Sequence, residues 1–347
     1  MTRTTLCLHL LAATCNICFV AGEHWSYDDT NWKETCATGL SQSPINLDIA
    51  TAVITQHDPI KFNYYDVTGS VTATNNGHTE LVQGFHSWDR RPYITGGPLK
   101  GTYYLQQFHF HWGEFENTGS EHTLDHARYP MEIHFVHLLE GFNETTALGV
   151  KDGITVVAVM VQVSSDHNAL ANLEDAFLAT NTSNREVLVN SYTPAVLLPN
   201  DTTTYFHYEG SLTTPPCTEG VNWIVMAEPK YVLPTELKFL RQHLTTEGKV
   251  LSYNWRPTQP VNDRTVYLNR RQAGTNLAVA ALQTLIVTIL SLDLLRHHLA
   301  EGEKVLDHKW RPTQPLNSRT VYLNRKSNAG TSLELAVLPL LIASTTA

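Results

Sequence analysis

The sequence predicts a mainly β fold, and three stretches carry that expectation. Gln107-Phe108-His109-Phe110-His111-Trp112-Gly113 is rich in aromatics and alternates in character. Glu132-Ile133-His134-Phe135-Val136-His137 repeats the arrangement, and Ile154 to Val161 is a continuous apolar run suited to a strand buried on both faces. Side chains on a strand point to opposite faces in turn. Gln107, His109 and His111 therefore share one face and Phe108, Phe110 and Trp112 the other, while Glu132, His134 and Val136 share a face. The chain has 347 residues, 42 % of them hydrophobic, enough for a large core. A β-rich or mixed fold of ~250 residues can be one domain. With 24 Lys+Arg against 33 Asp+Glu and no long basic run, nucleic-acid binding has no support.

From the N-terminus, residues 1–22 read as a secretory signal: Arg3, an apolar core from Leu6 to Val20, then small residues Ala21-Gly22 for cleavage. Cys7, Cys15 and Cys18 leave with it, so the mature chain keeps Cys36 and Cys217, and an exported chain with two cysteines can form one intramolecular bridge. Asn143-Glu-Thr, Asn181-Thr-Ser and Asn200-Asp-Thr are glycosylation sequons that agree with export. Val71 to Thr74 reads as a strand running into the tight turn Asn75-Asn76-Gly77-His78. Asn168 to Ala179 reads as a surface helix, with Leu170, Leu173 and Phe177 at helical spacing. In Gly210-Ser-Leu-Thr-Thr-Pro-Pro-Cys217 the prolines fix the backbone, which presents the hydroxyls of Thr213 and Thr214 in a set orientation.

The C-terminal third holds a repeat. Trp255 to Arg270 recurs as Trp310 to Arg325 with two positions changed, and the upstream segments Leu237 to Gly248 and Leu292 to Glu303, both read as helices, correspond. An apolar run, Leu277 to Leu292, lies between the copies, and an apolar tail, Leu333 to Ala343, follows the second. Small residues followed by an apolar tail are the layout of a GPI signal. Two nearly identical segments cannot fill one place in a sheet. The copy from Leu237 to Arg270 is expected in the domain, because it keeps Asn254 before Trp255 where the second copy has Lys309. The expected layout is a signal over 1–22, a domain over 23–276, an apolar segment over 277–292 and a duplicated segment over 293–347.

If the two histidine-bearing strands are neighbours, His109, His111 and His134 offer three nitrogen ligands to one ion, leaving a fourth position open. Three protein ligands and an open position are the catalytic pattern of zinc. Gln107 and Glu132 stand two residues before His109 and His134 on the same face, placed to hold their outer ring nitrogens, as metal-bound histidines require.

Together with Gly119-Ser-Glu121-His122-Thr, Ser211 to Pro216 and Asn254-Trp-Arg-Pro257, these stretches resemble the α-class carbonic anhydrases, from about His24 to Arg270. With the secretory features, the chain resembles their extracellular, GPI-linked type IV/XV branch. The resemblance implies one domain around a large, twisted, mostly antiparallel sheet with peripheral helices. It implies a Zn2+ enzyme that hydrates CO2 to bicarbonate and a proton, at the cell surface or secreted. Thr213 would orient the nucleophile through a hydrogen bond to Glu121, and its backbone N–H would hold a CO2 oxygen. Val136, Val156, Leu212, Val221 and Trp223, with Thr214, would wall the substrate, and His78 would export the proton. The backbone of Asn254 would hold His111, and a Cys36–Cys217 bridge would hold the Thr-Pro loop from outside. His122 and His137 are expected to be structural. Membrane attachment is expected, and bicarbonate transporters are the partners such an enzyme would serve, although no motif identifies one. A catalytically weak binding domain of the same fold would have lost a ligand histidine, and none is lost. A metallohydrolase would carry a carboxylate base in H-E-x-x-H, which is absent.

Overall fold

The computed structural model describes residues 25–270 apart from Thr30, Asn31 and Gly149. The expected signal over 1–22, the end of the expected domain over 271–276, the apolar segment over 277–292 and the duplicated segment over 293–347 lie outside the described residues. The strands run β1 (Asn46–Leu47), β2 (Val53–Thr55), β3 (Ile60–Asn63), β4 (Gly69–Asn75), β5 (Glu80–Gln83), β6 (Tyr93–Gly96) and β7 (Tyr103–Trp112). They continue as β8 (Thr123–Leu124), β9 (Met131–Leu139), β10 (Ile154–Val163), β11 (Arg185–Tyr192), β12 (Tyr205–Ser211), β13 (Glu219–Val232) and β14 (Tyr267–Asn269). β1 and β8 form a small parallel pair. The others form a 12-stranded sheet in the order β11-β4-β5-β7-β9-β10-β13-β12-β14-β2, with β6 pairing both β7 and β3. Within it β10–β13 and β14–β2 are parallel and the remaining ladders antiparallel, the mainly β architecture expected.

The sheet separates two apolar clusters, and the period of two in the sequence decides which side chain enters which. Phe108, Phe110, Trp112, Ile133 and Phe135 enter one cluster with Val157 and Val159 of β10. Val136, Leu138, Val156, Ala158 and Met160 enter the other with Trp223 and Val225 of β13. β10 is thus covered on both faces, as its unbroken apolar run requires. Burying a side chain the size of Phe stabilises by roughly 1.5–3 kcal/mol. The rigid floor of the site is therefore the middle of the sheet, not a loop.

Two helices differ from expectation. The segment expected as a helix from Leu237 to Gly248 is helical over Pro234–Leu240, with Pro234 in its first turn. It ends early because Leu244 bonds instead to Asn181 O and bridges to Val250, while Gly248 takes the left-handed φ of 74° that closes a turn. The 168–179 segment is a 3-10 turn over Ala171–Leu173 followed by an α-helix over Glu174–Ala179, with Leu170, Leu173 and Phe177 buried as the spacing required. The first copy of the repeat supplies β14, paired with β12 and β2. Among the described residues no helix is long and apolar enough to cross a membrane.

Candidate metal centre

β7 and β9 are antiparallel neighbours, and their register sets His109 opposite His134 and His111 opposite Glu132. Opposed residues project from the same face, so three imidazoles converge without any loop taking part. They are 9 %, 1 % and 1 % exposed for His109, His111 and His134. Ring centroids are 5.0 Å apart for His109–His111, 5.3 Å for His109–His134 and 4.5 Å for His111–His134. One nitrogen from each lies within 4.8 Å of the others.

The outer nitrogens determine which nitrogen faces inward. His109 Nδ1 lies 2.9 Å from Gln107 Oε1, and His111 Nδ1 lies 2.7 Å from the carbonyl oxygen of Asn254. His134 Nε2 lies 2.7 Å from Glu132 Oε1. Each partner atom is an acceptor, so each outer nitrogen carries the proton. The bare nitrogens are then Nε2 of His109, Nε2 of His111 and Nδ1 of His134. Burial, then the neighbouring imidazoles of His111 and His134, hold His109 well below its ordinary pKa. Burial likewise lowers His111, against the opposing pull of Glu121. Both rings are kept neutral, the form that ligates a metal. His111 Nε2 is sealed from solvent and has no hydrogen-bond partner. A buried imidazole nitrogen left bare, beside two more, fits a tetrahedral cation with nitrogen ligands.

Beside these rings lies a cavity of ≈ 30 Å³, walled by Val136, Val156, Leu212, Thr213, Thr214 and Trp223 together with His109, His134 and Gln107. Val221, also expected in the wall, is buried in the same apolar cluster without lining that cavity. Glu121 is fully buried: its Oε1 accepts from the Arg256 backbone N–H at 2.8 Å, and its Oε2 stands 3.5 Å from His111 Nε2. Oε2 has no hydrogen-bond partner, so the bond expected between Thr213 and Glu121 is not formed here; the carboxylate is turned toward the imidazole nitrogens. His78 sits in its Asn-Gly turn, where Gly77 takes a φ of 87°, and its ring stacks on Trp25 at 4.0 Å and 12°.

The family model described as eukaryotic-type carbonic anhydrase matches residues 21–270. The chain belongs to that family. It is 35 % identical over 308 residues to the Caenorhabditis elegans protein named "Putative carbonic anhydrase 5", covering 84 % of this chain and 98 % of that one. It is 37 % identical over 263 residues to human carbonic anhydrase 7 and 35 % identical over 258 residues to human carbonic anhydrase 3. Those two alignments cover 71 % and 70 % of this chain, and 98 % and 97 % of the relatives. The buried His109–His111–His134 cluster is typical of the family's zinc site.

Around this carbonic anhydrase site lies a polar network that sequence reasoning mostly missed. Glu132 also accepts from the His122 backbone N–H at 2.8 Å and from His122 Nδ1 at 2.6 Å. His122 Nε2 meets Tyr208 Oη at 2.7 Å, and Tyr208 Oη meets Ser43 Oγ at 2.8 Å. His122, Glu132 and His134 also come close enough to resemble a second metal cluster. Their facing atoms already bond one another, so the group is better read as the scaffold of the zinc site. Burial alone would raise the Glu132 carboxyl, but His122 and His134 outweigh it and hold the group well below the usual carboxylate range. His137 faces the opposite side of β9 and bonds Tyr65 Oη and Thr155 O, the structural role expected. Asn254 does more than its backbone contact: its side chain also bonds the Trp112 N–H, the Phe110 carbonyl and the His78 carbonyl. Arg256 ties Ser43 O, Gln42 and Cys36 O together. Cys36 and Cys217 are bridged, with Cα atoms 5.0 Å apart, at the end of the Thr-Pro loop. Nothing in the alternation of β7 or β9 points to Tyr208, Ser43 or Arg256; only Arg256 falls within a motif that the sequence singles out, Asn254-Trp-Arg-Pro257.

Proposed function

We propose that this carbonic anhydrase interconverts CO2 and bicarbonate outside the cell, with zinc held by Nε2 of His109, Nε2 of His111 and Nδ1 of His134. The observation that carries the proposal is the set of three inward nitrogens, each fixed by an acceptor on the ring's other side. His109, His111 and His134 would hold zinc, which would supply Lewis acidity that lowers the pKa of water to about 7. Glu132 and Gln107 hold the imidazoles in the ligating tautomer. Val136, Val156, Leu212 and Trp223, with Val221 buried in the same apolar cluster, exclude water and favour a small apolar substrate, which suits CO2. Thr213 offers a hydroxyl and a backbone N–H at the cavity wall, and Glu121 is the buried acceptor to which that hydroxyl donates once the carboxylate turns from the imidazoles. Thr214 stands beside Thr213 at the substrate. His78, in a turn and stacked on Trp25, carries the proton outward to buffer.

The extracellular placement rests on three features: the N-terminal signal, the Cys36–Cys217 bridge suited to an oxidising compartment, and sequon residues Asn143, Asn181 and Asn200 that are all exposed. Asn143 accepts the Thr146 N–H through Oδ1, a bond that a glycan on its nitrogen leaves in place. The C-terminal tail supports a GPI-linked attachment in the manner of the type IV/XV branch, which would place the enzyme beside bicarbonate transporters. The test is the full chain expressed in secretory cells. CO2 hydration on the outer surface, released by a phosphatidylinositol-specific phospholipase and lost in His134→Ala, supports the proposal. Activity confined to the cytosol overturns the location, and an active His134→Ala overturns the site.

A further inference from the structure

Away from the zinc site, across β10 and β13 in the sheet order, a second pair of imidazoles meets at the end of the sheet. His207 lies on β12 opposite Tyr267 of β14 and stacks on that ring at 4.6 Å and 11°. His57 follows β2, and its backbone N–H donates to Asn269 Oδ1 at 2.7 Å, which fixes it beside β14. The two imidazole rings meet edge to face, with centroids 5.2 Å apart. That separation is close to the 5.0 Å and 5.3 Å between ring pairs of the zinc site.

The unusual atom is His207 Nε2, which is sealed from solvent and has no hydrogen-bond partner. Buried polar atoms of this kind are rare enough to need a reason. Burial, and then the neighbouring His57, push the His207 imidazole down to about 4. At neutral pH the ring is therefore uncharged, and a neutral imidazole always keeps one bare nitrogen for a ligand. Asp58 brings a carboxylate to the same end of the sheet, where it adds to the burial that raises Tyr205 to about 12. A nearby anion favours an incoming cation.

We propose that His57 and His207 form a second metal site, for a divalent transition ion of the Zn2+, Cu2+ or Ni2+ class, with water completing the coordination. Imidazole suits these ions, whereas Ca2+ and Mg2+ prefer oxygen ligands. A site with two protein ligands is weaker than one with three, so the ion is exchangeable and the zinc of the catalytic centre is not displaced. Neither histidine belongs to the catalytic machinery, so removing one leaves CO2 hydration unchanged.

The test is equilibrium dialysis of the zinc-loaded full chain against Cu2+ or Zn2+, with bound metal counted by elemental analysis. The expected result is a second equivalent in the wild type. Its affinity falls at least about tenfold in both His57→Ala and His207→Ala, while the first equivalent and the hydration rate persist. Bound Cu2+ should show hyperfine coupling to two imidazole nitrogens, reduced to at most one in either variant. A wild type that binds one equivalent overturns the proposal and leaves an aromatic contact between two imidazoles. A second equivalent retained by either variant overturns the pairing and places that metal elsewhere. If His207→Ala does not fold, His57→Ala carries the test alone, since His57 is exposed.

Discussion

Replacing Glu132 by Gln changes no volume but reverses the polarity of half the group, and the hydrogen bonds around it determine the consequence. Oε1 receives His122 Nδ1 at 2.6 Å and His134 Nε2 at 2.7 Å, while Oε2 receives the His122 backbone N–H at 2.8 Å. If the amide oxygen takes the Oε1 place, its NH2 faces that backbone donor. The buried backbone N–H and the amide N–H facing it then both lack an acceptor, at a cost of about 1–3 kcal/mol each. If the amide is turned the other way, its NH2 faces both imidazoles. His134 must then bare Nε2 and protonate Nδ1, the nitrogen required for the metal. Either way zinc binding weakens, by roughly 10–100-fold as for other partners behind a metal ligand, or about 1.4–2.7 kcal/mol. Chelator competition measures that loss, and thermal unfolding of the zinc-free protein measures the first cost. Zinc affinity within twofold of wild type together with an unchanged melting temperature would refute the hydrogen-bond assignment on which the tautomers rest.

Three further outcomes are expected. His78→Ala slows turnover chiefly in dilute buffer, and added imidazole restores it, because the missing step is proton export; a rate indifferent to buffer removes His78 from the mechanism. Thr213→Ala and Glu121→Gln each depress hydration with zinc still bound, and the double variant is less damaged than the product of the singles because the two act as one unit; independent effects contradict the pairing. His137 is held down to about 3, chiefly by burial, so it stays neutral in the folded protein while the unfolded chain protonates it near pH 6.5. Its contribution to stability is therefore whole above pH 6.5 and is lost as the pH falls from 6.5 toward 3. Nitrogen NMR should find the ring neutral at pH 5, and an imidazolium there would show the burial to be wrong.

The parts of the site that follow a short period were legible in the sequence. His109 and His111 are placed by alternation on one strand, and Gln107 and Glu132 by the same two-residue step. What alternation cannot give is register, so the opposition of His109 and His134 was a condition that the β7–β9 ladder met. The holder of His111 lies 143 residues away in sequence, and only resemblance to the family named Asn254. The chain from Glu132 through His122 and Tyr208 to Ser43 joins four separate segments, each polar residue unremarkable in its own neighbourhood. The helix expected from Leu237 to Gly248 failed for a similar reason. Its local pattern is helical, but Leu244 finds backbone partners in Asn181 and Val250 that no local pattern announces. The repeat was legible as a repeat. Asn254, whose side chain bonds three backbone groups around the site, is the residue that the second copy replaces with lysine.

In the proposed site three imidazoles from two adjacent strands hold one zinc ion. Zinc-edge X-ray absorption on the loaded protein tests it most directly, on wild type and on His134→Ala, with His57→Ala as the background to remove any second metal. Three imidazole nitrogens at about 2.0–2.1 Å with one further light ligand are expected, with loss of that environment in His134→Ala. Sulfur ligation, fewer than three imidazoles, or an unchanged spectrum in His134→Ala would contradict it.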